Sequence, residues 1–298
     1  MDIRFYGVRG SLPSPSTRKI NYHKYGGNTS CVSLVEDKDY AFILDAGSGI
    51  RLLGNKLCAV NPDGKQLRKT DFNTGRAVID LFLGHLHWDH IIGLPFFKPI
   101  YIKGNRINIY GCKNLKKELP KIFTKPFFPL NFSNLQSEIK MIELKEEKIL
   151  RIREYKILPI YINHPDPTFG YRIENRKGKI FVYATDTEHS KEWEKKLDKL
   201  CRGADALVYD TQYTHQEYDP QACEKEGFGK KTWGHSIVQE GIKLCQRNKV
   251  KVLIPFHYAP ESPDRKIDDI MRYAKKIKNK THSSLRILPA YEDLKLTL

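Results

Sequence analysis

The chain has 298 residues, 40% hydrophobic and 11% aromatic, which excludes a disordered polypeptide and allows a sizeable core. Its 51 Lys and Arg against 35 Asp and Glu give a formal charge of +16, a surplus that attracts phosphates and nucleic acid or simply solvates the surface. No apolar run approaches the ~20 residues of a membrane helix, and the start "MDIRFYGVRG" lacks an apolar signal core, so a soluble, cytoplasmic protein without a membrane partner is expected.

Short β-branched and aromatic runs predict strands at "CVSLV" (31–35), "YAFILDAGSGI" (40–50) and "AVIDLFLGH" (77–85). A helix is predicted over 91–97, and an aromatic, basic excursion follows around 113–140. Further strands are predicted at "YKILPIYIN" (155–163), "KIFVYATD" (179–186), "ADALVYD" (204–210) and "KVKVLIPFH" (249–257), with helices over 188–202, 235–248 and 264–279. No repeat or Pro/Gly-rich linker divides the chain, so residues 1–298 form one predicted domain. Cys31, Cys58, Cys112, Cys201, Cys223 and Cys245 are scattered without a C-x-x-C pair, a pattern of free thiols in a reducing compartment. Cys31 and Cys245 lie in apolar surroundings and read as core residues.

The apolar runs repeatedly end, within a residue or two, in His85, His164, Asp186, Asp210 or His257. Ligands collect beyond strand ends, where loops converge on a rigid sheet, so these endings predict one polar site built from distant pieces of chain. In "GHLHWDHIIGLPFF" (84–97), His85, His87, Asp89 and His90 crowd into six residues. Residues two apart on a strand end share a face, so His85 and His87 can grip one ion, while the following turn offers Asp89 and His90 to a second. Imidazole with carboxylate suits zinc, manganese or iron. Taken singly, His164 is an isolated histidine, Asp186 has the place of a helix N-cap and His257 that of a buried core histidine.

"HLHWDH" has the form H-x-H-x-D-H, and the chain resembles the metallo-β-lactamase-fold hydrolases over nearly its whole length. "YGGNTSCV", "FILDAGSGIRLLG", "NHPDPTFGYRIE", "VYATDTE", "WGHS" and "LIPFHYAPESPD" follow in the order of that family, most like its phosphodiesterase branch. The resemblance implies an α/β (α+β) fold, a four-layer αββα sandwich of two mixed β-sheets flanked by helices. It further implies two divalent ions, zinc first and manganese or iron as alternatives. His85, His87 and His164 would hold one, Asp89, His90 and His257 the other, and Asp186 would bridge them. Asp45 reads equally as the orienting partner of a ligating imidazole and as a turn residue before Gly47. For Asp210 the structural reading is favoured.

Two such ions would activate water and neutralise phosphate oxygens, with Asp89 and Asp186 also able to accept a proton. His235, in the branch's G-H-S element, is the expected proton donor to the leaving oxygen, since seven ligands already fill two metal shells. Ser236 is expected to cap the next helix and aim its amides at the phosphate, and Lys231, with Lys230, to add positive charge. The opening "FYGVRGSLPSP…YGGNTSCV" looks more like the branch's small-nucleotide phosphodiesterases, and the Gly-rich arm usual in its tRNA endonucleases is not seen, so the resemblance implies 3′,5′-cyclic nucleotides as substrate. The alternative is tRNA 3′ processing, with RNA as partner; a non-catalytic nucleic-acid-binding protein on a retained hydrolase fold is the reading from another class. Phe127, Phe128 and Phe132 form either a lid or partner contact on which a base stacks, or plain packing. The resemblance also implies a homodimer.

Overall fold

The computed structural model describes residues 1–219, 229–281 and 284–298. Cys223 lies outside them, and the other five cysteines are free and buried. The chain lays β1 (Asp2–Gly7), β2 (Cys31–Glu36), β3 (Tyr40–Leu44), β4 (Val78–Phe82), β5 (Arg106–Gly111) and β6 (Glu138–Glu143) side by side in chain order as one sheet. A second sheet takes β7 (Leu150–Ile152), β8 (Tyr155–Ile162), β9 (Thr168–Glu174), β10 (Ile180–Ala184), β11 (Ala206–Asp210), β12 (Val252–Phe256) and β13 (Arg286–Ile287), again in chain order. The last strand, β14 (Lys295–Thr297), returns to pair with β1. Both sheets are mixed, and each changes from antiparallel to parallel pairing partway across, at β3 in the first and β10 in the second.

Helices α1 (Ile50–Leu57), α2 (Asp71–Thr74), α3 (Trp88–Ile91) and α4 (Leu115–Glu118) follow strands of the first sheet. Helices α5 (Glu194–Cys201), α6 (His215–Tyr218), α7 (Val238–Asn248) and α8 (Asp264–Lys280) belong to the second half. In β3 every residue is buried because successive side chains serve different layers: Phe42 and Leu44 enter the core between the sheets, Ala41 and Ile43 the layer under α1. This explains the unbroken apolar run "YAFIL", which would be half polar if one face met water. The second sheet is covered by Leu197 and Leu200 of α5, Ile242 and Leu244 of α7 and Ile267 and Ile270 of α8. Among the described residues no helix is long and apolar enough to cross a membrane.

The helix expected over 91–97 is instead a single turn, α3, followed by a 3-10 turn at Leu94–Phe96. Gly93 and Pro95 stop the α-helix, Pro95 because its ring cannot continue the hydrogen-bond ladder. The helices expected from 188 and 235 begin later, at Glu194 and Val238. Strands β1, β5, β6, β7, β9, β13 and β14 have no counterpart among the expected runs. β6 carries alternating charged residues because it is an edge strand.

The pairing directions place the site. β3 and β4 run parallel, so Asp45 and the 85–90 turn leave the same edge of the first sheet. β8 and β10 are both antiparallel to β9, and β10, β11 and β12 are mutually parallel. The residues that follow β8, β10 and β12, and the last residue of β11, therefore share one edge of the second sheet: His164, Asp186, His257 and Asp210. Cross-sheet bonds bring the two edges together: Tyr171 Oη donates to the Leu83 carbonyl (2.5 Å) and the Phe169 amide to the Gly84 carbonyl (2.9 Å).

Candidate active site

Two groups of donors converge between these edges. One is His85, His87 and His164; the other is Asp89, His90, Asp186 and His257, and within each group one ligand atom per residue lies within 4.8 Å of the rest. A further set within the same distance, Asp186, Asp210, His235 and His257, shares two members with the second. The second group is bound together: His257 Nε2 lies 2.9 Å from Asp89 Oδ2 and 3.1 Å from Asp186 Oδ1, and His90 Nε2 lies 3.1 Å from Asp186 Oδ2. His85 Nε2 is 3.9 Å from Asp186 Oδ1, so Asp186 lies between the groups.

The rings of His87, His90 and His164 are each oriented by a partner on the outer nitrogen, whereas His85 has none and His257 Nδ1 lies 3.8 Å from Asp210 Oδ2. Asp45, fully buried, accepts from His90 Nδ1 (2.7 Å), from Tyr183 Oη (2.8 Å) and from the Gly84 amide (2.8 Å). His164 Nδ1 donates to the Gly234 carbonyl (3.0 Å), and His164 Nε2 faces His87 Nδ1 (3.2 Å). Asp166 holds His87 Nε2 at 2.8 Å, with His87 and Asp166 side chains 44% and 66% exposed. Only glycine fits at 234: its φ is +85°, and a Cβ would lie 2.3 Å from His164 Nδ1. Asp45, Asp186 and His257 themselves adopt positive φ (59°, 57° and 61°), an uncommon state for residues with side chains and one that turns all three inward at strand ends.

The electrostatics suit ligation. Burial, reinforced by His90, holds the His85 imidazole well below its usual range and therefore neutral. Burial opposes charge on Asp89 and Asp186, but His90 and His257 outweigh it and keep both carboxyls well below theirs. Burial likewise opposes charge on His257, yet Asp186, Asp89 and Asp210 raise it to about 9. Against burial, carboxylates raise His90 as well, so His90 and His257 hold protons here that a cation would displace. His85 Nδ1 and Nε2 and His257 Nδ1 are buried without a hydrogen-bond partner, and His90 Nε2 and Asp186 Oδ2 face each other at 3.1 Å without forming a hydrogen bond. Converging imidazoles and ionised carboxylates with such orphaned atoms fit two divalent cations, because each unpaired group would otherwise carry an uncompensated desolvation cost.

His235 stands beside this centre. Asp210 holds its Nδ1 at 2.8 Å, leaving Nε2 as the available nitrogen, and its ring lies 5.1 Å from that of His257 and 5.5 Å from that of His164. Its side chain is 12% exposed, so it meets solvent at the rim. Asp210 also accepts from the Ser236 amide (3.2 Å) and the Gln212 amide (3.0 Å). Glu188 fixes the same loop by accepting from the Thr232 amide (2.9 Å), the Gly234 amide (3.1 Å) and Tyr218 Oη (2.7 Å).

One expectation for this loop fails. Ser236 is fully buried, its Oγ within 3.1 Å of both Tyr209 Oη and His189 Nδ1; Ile237 is the cap residue of α7, without a side-chain cap bond. Lys231 lines an outer depression with His189, Lys243 and Arg247, whereas Lys230 lies over the Tyr213 ring at 5.1 Å, and Tyr213 lies against His235. Asp45 takes the orienting role, and Asp210, expected as structural, holds His235. Asp166 and Glu188 escaped notice; the signal was their place two residues after His164 and Asp186.

A family model described as a beta-lactamase superfamily domain matches residues 42–258. A Ribonuclease Z of Prochlorococcus marinus subsp. pastoris is 24% identical across 97% of this chain and 99% of its own length. Among solved structures, the metallo-beta-lactamase fold protein YhfI of Bacillus subtilis superposes with a TM-score of 0.67 at 16% identity, covering 99% of this chain and 98% of its own. Human tRNase Z, short form, does so at 0.64 and 20% identity, over 100% of this chain and 99% of its own.

Proposed function

Because the chain belongs to the beta-lactamase superfamily, we propose that its His/Asp centre is that of a metal-dependent phosphodiesterase acting on RNA, and that it cuts 3′ extensions from tRNA precursors. The observation that carries this is His235, an imidazole held by buried Asp210 beside the donor groups. Hydrolysis of an unactivated diester must protonate a departing ribose oxygen, which is the task such a group performs. The end-to-end similarity to a Ribonuclease Z supports RNA over the cyclic nucleotides expected at first, for which the comparisons offer no support.

His85, His87 and His164 would hold one cation, and Asp89, His90 and His257 the second, with Asp186 shared. Two such cations supply Lewis acidity toward the phosphate and an activated water. The protein's own contributions are distinct. Asp45, Asp166 and the Gly234 carbonyl fix which nitrogen of His90, His87 and His164 faces inward. Asp89 and Asp186, kept ionised, can accept a proton. His235, its Nδ1 on Asp210, keeps Nε2 for the leaving oxygen. The choice of zinc over manganese or iron and assembly as a homodimer remain expectations, to be read from metal analysis and gel filtration.

The test is incubation of metal-replete protein with a 3′-extended tRNA precursor and with 3′,5′-cyclic AMP, mapping the RNA ends formed. Cleavage after the mature 3′ end, abolished by EDTA, is the expected result. Turnover of the cyclic nucleotide alone would replace this reading. RNA binding that survives EDTA, with no cleavage of any diester, would favour the non-catalytic alternative.

A further inference from the structure

Beside the donor groups lies a groove of about 510 Å³ that none of the preceding roles uses. It is lined by Trp88, Ile91 and Ile92 of the α3 segment, Phe96, and Phe127 and Phe128 of the excursion, with Lys121 its one charged lining residue. Its position follows from the sequence: Trp88 lies between His87 and Asp89, so α3 carries Asp89 and His90 and also walls the groove. Trp88 is 70% exposed, Phe96 56% and Phe127 84%. Three large apolar side chains left in water around one groove mark a binding surface more than an accident of packing.

The excursion resolves into a fixed base and a free edge. Phe123 is buried, and Phe128 and Phe132 pack edge-on against it at 5.6 and 5.5 Å. Phe96 meets Phe128 edge-on at 6.0 Å. Those contacts make Phe128 and Phe132 structural and leave Phe127 projecting. The surrounding chain is strongly basic: residues 98–125 contain eight Lys and Arg and one acidic residue, Glu118, which pairs with Lys121. Apolar rings amid positive charge suit a ligand with flat faces joined by anionic links.

We infer that this groove stacks unpaired bases of the RNA on Trp88 and Phe127, next to the phosphate to be cut. The inference rests on the RNA-processing reading and names where the single-stranded part of that substrate lies. Stacking is indifferent to base identity, since every base has a π-face, so the groove admits 3′ extensions of varied sequence. A second copy of this chain is the competing occupant.

The test measures binding of a short fluorescent single-stranded oligoribonucleotide, and of its abasic counterpart, to the full chain in EDTA. Phe127→Ala and Trp88→Ala should each weaken the intact RNA roughly tenfold, the effect of losing one stacked base, and leave the abasic strand unchanged. Lys121→Ala should weaken both strands and flatten the salt dependence. Unchanged RNA binding in the ring variants, or equal losses on both strands, overturns the proposal. So does a ring variant that shifts a dimer to monomer on gel filtration while binding RNA as the parent does. Both rings are exposed, so the variants should fold; thermal melting checks this. The reaction is judged separately: a chain that binds through these rings yet cleaves no precursor refutes the reaction alone, and one that cleaves with unaltered ring variants refutes the groove alone.

Discussion

The two donor groups are built to different standards. Asp89, His90, Asp186 and His257 are all buried, and His90 leans on Asp45, itself without solvent exposure and tied to Tyr183 of the other sheet. In the other group His85 is buried but His87 and His164 are partly exposed, and His87 leans on Asp166, whose side chain is 66% exposed. A buried carboxylate with several donors cannot swing away without leaving them unpaired, whereas an exposed one exchanges readily with water. With the proposed cations bound, the closed group would hold its ion the more firmly and the open group would exchange its own more readily.

Asp186→Ala should have the largest effect, because Asp186 touches both groups. Both ions should be lost and precursor cleavage should fall to the chelated background, as metal analysis and a cleavage assay would show. Retention of the closed-group ion would mean that Asp186 serves only one side. His235→Ala comes next and should separate chemistry from ligation. Metal content should stay intact while kcat falls roughly 10²–10⁴-fold, the usual worth of general acid–base catalysis. An activated p-nitrophenyl diester, whose leaving group needs no proton, should be nearly spared; an equal loss on both substrates would remove His235 from the donor role.

The supporting carboxylates address the contrast directly. Asp45→Asn keeps the shape but replaces a charge that accepts from His90 and Tyr183, and should weaken the closed ion roughly 10–100-fold. Asp166→Asn should weaken the open ion by less than about fivefold, since an exposed pair contributes about 0–1 kcal/mol. Competition with a fluorescent chelator measures both. Equal effects would show that burial of the support does not set how firmly each ion is held.

Short-range pattern singled out His85, His87, Asp89 and His90, which crowd one strand end, and flagged the strands that stop at His or Asp; that His164, Asp186 and His257 join the same donor set came from the family resemblance. Its supports were less readable. Asp210 and His235 are 25 positions apart, and Asp45 and His90 are 45 apart. An aspartate ending a strand has an ordinary local use as a turn residue, so only tertiary contact reveals which ring it holds. Ser236 shows the converse error. A hydroxyl before a helix is usually a cap, but here the helix starts after Ile237 and the hydroxyl is taken by Tyr209 and His189. Most central strands and the long helices were legible from their apolar runs. β6 was not, because an edge strand shows solvent the charges that conceal it.

The strand order also decides how this molecule would come apart. Apart from β14, each sheet is laid down by one contiguous run of chain, and residues 145–149 between them are mostly exposed. A single cut there would send His85, His87, Asp89 and His90 away with one fragment and His164, Asp186 and His257 with the other. Neither piece would keep a full complement for either ion. In a split version of the chain, bound metal would count reunited halves one for one, and the active centre would report its own assembly.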